Sequence, residues 1–196
     1  MSAVLEVVEV AMLVARAFES IGTDYALGGS VATSVQGEPR STNGVDFAVR
    51  LTEQQVPLLI AALGPDFEVD DEALAEAIKR KRSANIFHLA SMTKIDLFFR
   101  GGEEFDESEF SRRVRLALQP DGGELFIAST EDDFLRKLRW FRMGGEASDR
   151  QWRDILGLLR VAGDSLDVAY LRSWAPKLGV ADLLERALSA KSGSTT

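Results

Sequence analysis

The chain has 196 residues, 45% of them hydrophobic and 28% charged, enough for one domain, or a domain with a small appendage, around a buried core, and too well mixed for extensive disorder. It has no cysteine, which excludes a disulfide framework, thiolate zinc sites and cysteine catalysis together. Its formal net charge of -8 argues against broad nonspecific nucleic-acid binding, which draws on positive charge at the contact surface.

The first segment, Val4 to Ile21, is apolar with helical periodicity, but Glu6, Glu9, Arg16 and Glu19 recur on one side. It reads as an amphipathic helix stopped by Gly22, with neither a membrane span nor a cleavable leader, so cytoplasmic location is the default expectation. Asp24 to Leu27 is a strand that runs straight into Gly28, Gly29 and Ser30; Val31 to Val35 is a short helix broken around Gly37 and Pro39. Val45 to Leu51 is the next strand, with Val45, Phe47 and Val49 on one face and Asp46 and Ala48 on the other.

Thr52 caps a helix through Ala62, Asp66 to Val69 is extended, and Asp70 or Asp71 caps a helix to about Lys81. Ala84 to Leu89 and Lys94 to Arg100 are spaced as an antiparallel hairpin. Phe105 to Arg112 forms a helical turn, and Arg113 to Ala117 with Glu124 to Ile127 are the last strands. From Ser129 onward only helices are predicted: Glu131 to Met143, opened by a capping-box-like Thr130 and Asp133, then Asp149 to Val161, Asp167 to Leu178 and Val180 to Ser189. The organisation is an α/β part over residues 1–128, a helical part over 129–190 and a frayed tail over 191–196.

Glycines between a strand and a helix let backbone approach a ligand, and the exposed N–H groups of a helix start favour phosphate. Gly28 and Gly29 sit at such a junction, and Ser30 adds a hydroxyl. Asp46 and Asp96 lie within the apolar strands VDFAV and KIDLFF. A single such aspartate is as often a strand-end residue bonded to backbone; two of them beside a glycine turn suit magnesium, which prefers oxygen ligands and keeps substrate phosphates in its shell.

Strand, G-G-S, short helix, acidic strand and a later strand with a further carboxylate: this order resembles the nucleotidyltransferase superfamily that includes DNA polymerase beta. Arg40, Ser41, Thr42 and Asn43 resemble the R-x-T-x-D-x-D version found in bacterial abortive-infection toxin-type nucleotidyltransferases. EDDFLRKLRW and the later Asp149-Arg150-x-x-x-Asp154 pattern look like the helical tail of the same group, so the resemblance spans most of the chain.

The resemblance implies an α/β (α+β) fold, a mixed sheet with flanking helices plus a C-terminal helical bundle. It also implies transfer of a nucleoside monophosphate from a nucleoside triphosphate (NTP) to an acceptor, with Mg2+ as cofactor. Carried over by position, Gly28, Gly29, Ser30, Arg40, Thr42 and Lys137 would bind the nucleotide, and Asp46 and Asp96 would be the catalytic and metal-binding carboxylates. The acceptor could be RNA, a protein or a small molecule, and a toxin–antitoxin setting would add a partner protein.

Gly44 departs from the pattern: it stands where the family has the first carboxylate of its acidic pair, two residues before Asp46 and on the same strand face. Three accounts stay open: a natural pseudoenzyme, an inactivated variant of an active parent, or a substitute ligand. Of the substitutes, Asn43 falls on the opposite face and Glu38 lies across Pro39, which ranks compensation last. The function is therefore either an impaired nucleotidyltransferase or a catalytically inactive module that binds nucleotide or a partner, antitoxin-like in character.

Other residues have plainer readings. His88, the only histidine, reads as a strand residue at the rim with at most a minor substrate contact. Lys94 shares a strand face with Asp96 and could pair with it, with a phosphate, or with neither. In RKLRW, Phe134, Leu135, Leu138 and Phe141 form a buried stripe, with Arg136, Arg139 and Arg142 on the solvated face and Lys137 excepted by the resemblance. Trp152 and Trp174 fit helix packing, and Asp154 a bond to Arg150.

Overall fold

The computed structural model describes residues 3–36, 44–117 and 123–192. They fall into two compact units, the described residues of Met1–Val31 with Ser41–Ala128, and those of Ala32–Arg40 with Ser129–Thr196.

In the first unit, α1 (Ala3–Ser20) buries Val7, Val10, Ala11, Val14 and Phe18 at helical spacing and keeps Glu6, Glu9, Arg16 and Glu19 exposed. Gly22, at φ 67°, ends it: its N–H donates to Glu19 O at 3.2 Å and Thr23 N–H to Phe18 O at 2.9 Å, the paired bonds of a left-handed helix stop. No helix among the described residues is long and apolar enough to cross a membrane.

The sheet comprises β1 (Tyr25–Gly28), β2 (Gly44–Val49), β3 (Phe67–Glu68), β4 (Ser83–His88), β5 (Thr93–Phe99), β6 (Val114–Ala117) and β7 (Glu124–Ile127), in the order β3-β4-β5-β2-β1-β7-β6. β2 runs parallel to β5 and β1 parallel to β7, while the other neighbours are antiparallel. The expected hairpin is thus β4–β5, with Met92 at φ 53° in its turn.

Alternation decides which face is core. Val45, Phe47 and Val49 of β2, Ile95, Leu97 and Phe99 of β5 and Ile86 of β4 are all buried, and join one apolar cluster with residues of α1, α3 (Val56–Leu63) and α4 (Asp71–Lys79). Phe18, Tyr25 and Phe47 stand with ring centroids 5.5 to 5.7 Å apart at its centre. Truncating Phe47, with no exposure, to alanine would remove about 3–5 kcal/mol. Local signals fix the flanking helices: Thr52 N–H donates to Gln55 Oε1 at 3.0 Å ahead of α3, and Asp70 Oδ1 accepts from Ala73 N–H at 2.8 Å to cap α4. The turn expected at Phe105 to Arg112 is a full helix, α5 (Glu104–Arg112), with Phe105 and Phe110 buried.

β2 begins at Gly44 and ends at Val49, so Arg50 and Leu51 lie beyond the expected strand's observed end. Arg50 leaves the strand to pair with Glu107 at 2.8 Å and to sit 4.3 Å over the Phe110 ring. The glycine turn also differs: α2 spans Gly29–Gln36, so Gly29 and Ser30 are its first residues and not a loop before it.

The second unit holds α6 (Thr130–Met143), α7 (Asp149–Ala162), α8 (Val168–Trp174) and α9 (Ala181–Ser192). The stripe Phe134, Leu135, Leu138 and Phe141 is buried as expected, but so is Arg136, which leaves the solvated face assigned to it. The cap of α6 is Ser129, not Thr130: its hydroxyl accepts from Asp132 N–H at 3.2 Å and donates to the Asp132 carboxylate at 2.5 Å. Tyr170 OH donates to the other oxygen of Asp132 at 2.6 Å, and Thr33 Oγ1 donates to Asp133 at 3.0 Å, so the buried acids at this helix start are bonded.

α8 stops at Trp174, four residues before the expected Leu178, because Pro176 has no N–H to continue the ladder. Hydrogen bonds from Arg142 hold the Asp182 carboxyl below its ordinary range, and those from Arg172 do the same for Glu185.

Candidate functional site

β2 and β5 are central neighbours, and their register places Asp46 directly beside Asp96. On the other side of β2, Gly28 pairs with Asp46; on the other side of β5, Asn85 pairs with Asp96. Directly paired residues share a sheet face, so Gly28, Asp46, Asp96 and Asn85 form one row across four strands. With strands about 4.8 Å apart, the two carboxylates are near enough to share a ligand. Both aspartates are half-buried, on the face opposite the apolar core.

Gly29 sits at φ 63°, and a β-carbon built there would fall within the Asp46 carboxylate. Only glycine allows this approach, which seats the Asp46 side chain against the first residue of α2. There the positive end of the helix dipole favours an anion.

The next row along the strands pairs Gly44 with Lys94. Gly44 is outside the left-handed region, and a β-carbon on it would meet only Lys94 O, at the ordinary contact distance of 3.5 Å. Neither backbone nor packing requires glycine there. Lys94 Nζ lies 2.8 Å from Asp96 Oδ1 and 3.2 Å from Oδ2, so the pairing with Asp96 expected as one of its options is made.

The donor set can be tested against the magnesium that the resemblance implies. Asp46 and Asp96 offer two carboxylates, Asp96 is shared with a lysine, and no group of three or more His, Cys, Asp or Glu that could hold a metal occurs among the described residues. Magnesium is often held by one or two carboxylates plus substrate phosphates and water, so one ion arriving with a nucleotide fits this set. A pair of ions bridged by shared carboxylates does not.

Of the other expected residues, Ser30 is half-buried in the first turn of α2, and Lys137 is half-buried on α6, in the second unit. Arg40 and Thr42 lie outside the described residues, as do Glu38 and Asn43. His88 is removed from the aspartate row: its Nδ1 is 2.7 Å from Ser91 Oγ in the hairpin turn, and its ring packs 5.0 Å from Phe67. Asn85 was not anticipated. Its alternation with buried Ile86 in SANIFH marks an open-face position, but only the pairing of β4 with β5 puts it beside Asp96.

No protein-family model matches the chain, and no curated protein matches it. Among solved structures, the chain is similar to the antibiotic-resistance factor ANT(2'')-Ia, an aminoglycoside nucleotidyltransferase, at 10% identity and a TM-score of 0.51, over 98% of this chain and 96% of that one. An antigenic nucleotidyltransferase-like protein from Paracoccidioides brasiliensis aligns at 16% identity and a TM-score of 0.47, over 92% of this chain and 93% of that one. The mixed sheet with its flanking helices, matched over nearly the whole of both chains in the first of these, gives this protein the nucleotidyltransferase fold.

Proposed function

We propose that the chain binds a nucleoside triphosphate at the Gly28–Ser30 junction and the Asp46–Asp96 row, and that transfer of a nucleoside monophosphate to an acceptor is strongly reduced by Gly44. The observation that carries this reading is the register: Gly28, Asp46 and Asp96 are consecutive across β1, β2 and β5, beside the start of α2. Residues of the first unit alone support it.

In this reading the α2 start receives phosphate oxygens through backbone N–H groups and the Ser30 hydroxyl. Asp46, held against Gly29, and Asp96, oriented by Lys94, face the phosphates and would hold the magnesium ion. When bound, that ion supplies charge neutralisation at the phosphates. In the transfer itself, the acceptor hydroxyl forms a bond to the α-phosphorus, the bond to the bridging oxygen breaks, and pyrophosphate leaves. Asp96 is the group on this row suited to receive the acceptor's proton. The missing carboxylate at position 44 costs several kcal/mol of transition-state stabilisation, about a thousandfold in rate. Phosphate binding by backbone is hurt less, which is why binding outlasts chemistry here.

Calorimetry with each nucleoside triphosphate and Mg2+ tests the reading. Saturable heat is expected from the natural chain and a loss of it from Asp46→Asn, while α-labelled triphosphate shows little or no transfer. Absence of both heat and thermal shift with every triphosphate would remove the reading.

A further inference from the structure

Lys94 stands across from Gly44, where the resemblance would place a carboxylate. The register pairs it with Gly44, and its ammonium contacts both oxygens of Asp96, at 2.8 and 3.2 Å. We propose that the Lys94 ammonium takes the place of one of two divalent cations, so that the site holds its triphosphate with a single metal ion and a lysine. This deepens, and rests on, the nucleotide-binding reading above.

Charge supports the exchange. Three carboxylates with two divalent cations leave one net positive charge facing the triphosphate. Asp46, Asp96, Lys94 and one divalent cation leave the same. With no divalent cation the present set would carry a net negative charge toward an anionic ligand.

Geometry supports it too. An ammonium has three donors, and two contacts to one carboxylate leave at least one for a phosphate oxygen. The Lys94 side chain is 46% exposed and that of Asp96 25% exposed, so the pair is open to a ligand arriving from solvent.

The arrangement also dictates what reversal of Gly44 would do. An aspartate at 44 has room, since a β-carbon there meets only Lys94 O at 3.5 Å, but its carboxylate would be drawn directly beside the Lys94 side chain. The lysine would pair with it and keep a second metal out. Restoring a two-metal site therefore takes Gly44→Asp and Lys94→Ala together.

The test counts bound Mn2+ by electron paramagnetic resonance on the full chain, with the α,β-methylene analogues of ATP, GTP, CTP and UTP. One Mn2+ per chain is expected for the natural protein and for Gly44→Asp, and two for Gly44→Asp/Lys94→Ala. Lys94→Met, at a half-exposed position and with unchanged melting temperature, is expected to weaken analogue binding about tenfold or more. Two Mn2+ in the natural chain, or Lys94→Met binding analogue and metal as the natural chain does, would overturn the proposal while leaving nucleotide binding in place. Failure of every analogue to bind the natural chain would instead overturn the nucleotide reading, and this proposal with it.

Discussion

At Gly29 a side chain has nowhere to go: φ is 63°, and the space a β-carbon would take is filled by the Asp46 carboxylate. At Gly44, two residues before Asp46 on the same strand, neither constraint exists. Alanine separates the two cases. Gly29→Ala is expected to destabilise the chain by about 1–3 kcal/mol through left-handed strain alone, and to weaken nucleotide binding by pushing Asp46 off the α2 start. Gly44→Ala is expected to stay within about 0.5 kcal/mol of the natural chain and to bind nucleotide normally. Urea denaturation and calorimetry on both variants check this; equal losses at the two positions would remove the distinction.

Of the candidate site, the shared open face of Asp46 and Ala48, and that of Lys94 and Asp96, was legible because strand alternation shows which residues share a face. That Asp46 pairs with Asp96 and Gly44 with Lys94 was not, since register between strands far apart in sequence is set by the assembled core. Arg136 escaped for a related reason: helical periodicity put it on the polar side of α6, and its burial depends on what packs there.

Element by element, periodicity and capping residues located the helices and strands well, and the errors fall where a neighbouring residue competes. Ser129 wins the cap from Thr130, and Pro176 cuts α8 short of its apolar pattern. The join between α1, β1 and β7 carries a titration that follows from its packing. Tyr25 is buried; its OH donates to Glu19 Oε1 at 2.8 Å and accepts from Phe126 N–H at 3.3 Å. Burial first, and then the bond to Glu19, raise its phenol well above the ordinary value of 10.0.

Because folding raises this value, the neutral phenol's contribution is fully present below the ordinary value of 10.0 and is lost as pH climbs above it. Melting temperature is therefore expected to begin falling once pH passes the ordinary value of 10.0 and to go on falling toward the raised folded value, and to fall less steeply in Tyr25→Phe, which has no proton to lose. Parallel alkaline limbs for the two proteins would show that other groups govern the loss.

For the whole molecule, the change from mixed α/β to helix-only sequence near Ser129 was visible in composition and periodicity. The inclusion of the described residues from Ala32 onward with the helical unit was not, because it depends on contacts such as Thr33 to Asp133, a hundred positions apart in sequence. A chain of two compact units makes a single unfolding temperature an assumption to be tested, and a ligand provides the means. The residues proposed to bind nucleotide, Gly28 to Ser30, Asp46, Asp96 and Lys94, belong to the first unit. A triphosphate that binds only the folded form, at a hundred times its dissociation constant, stabilises that form by about 2.7 kcal/mol. For a chain of this size the shift is roughly 5–10 °C. Calorimetric scans with and without nucleotide and Mg2+ are expected to show that shift in the transition that Gly29→Ala also lowers. If unfolding resolves into two transitions, the one sensitive to Ser129→Ala, which removes the α6 cap, should stay where it was. A nucleotide shift confined to the Ser129-sensitive transition would place the ligand on the helical unit and overturn the assignment of the site to the aspartate row.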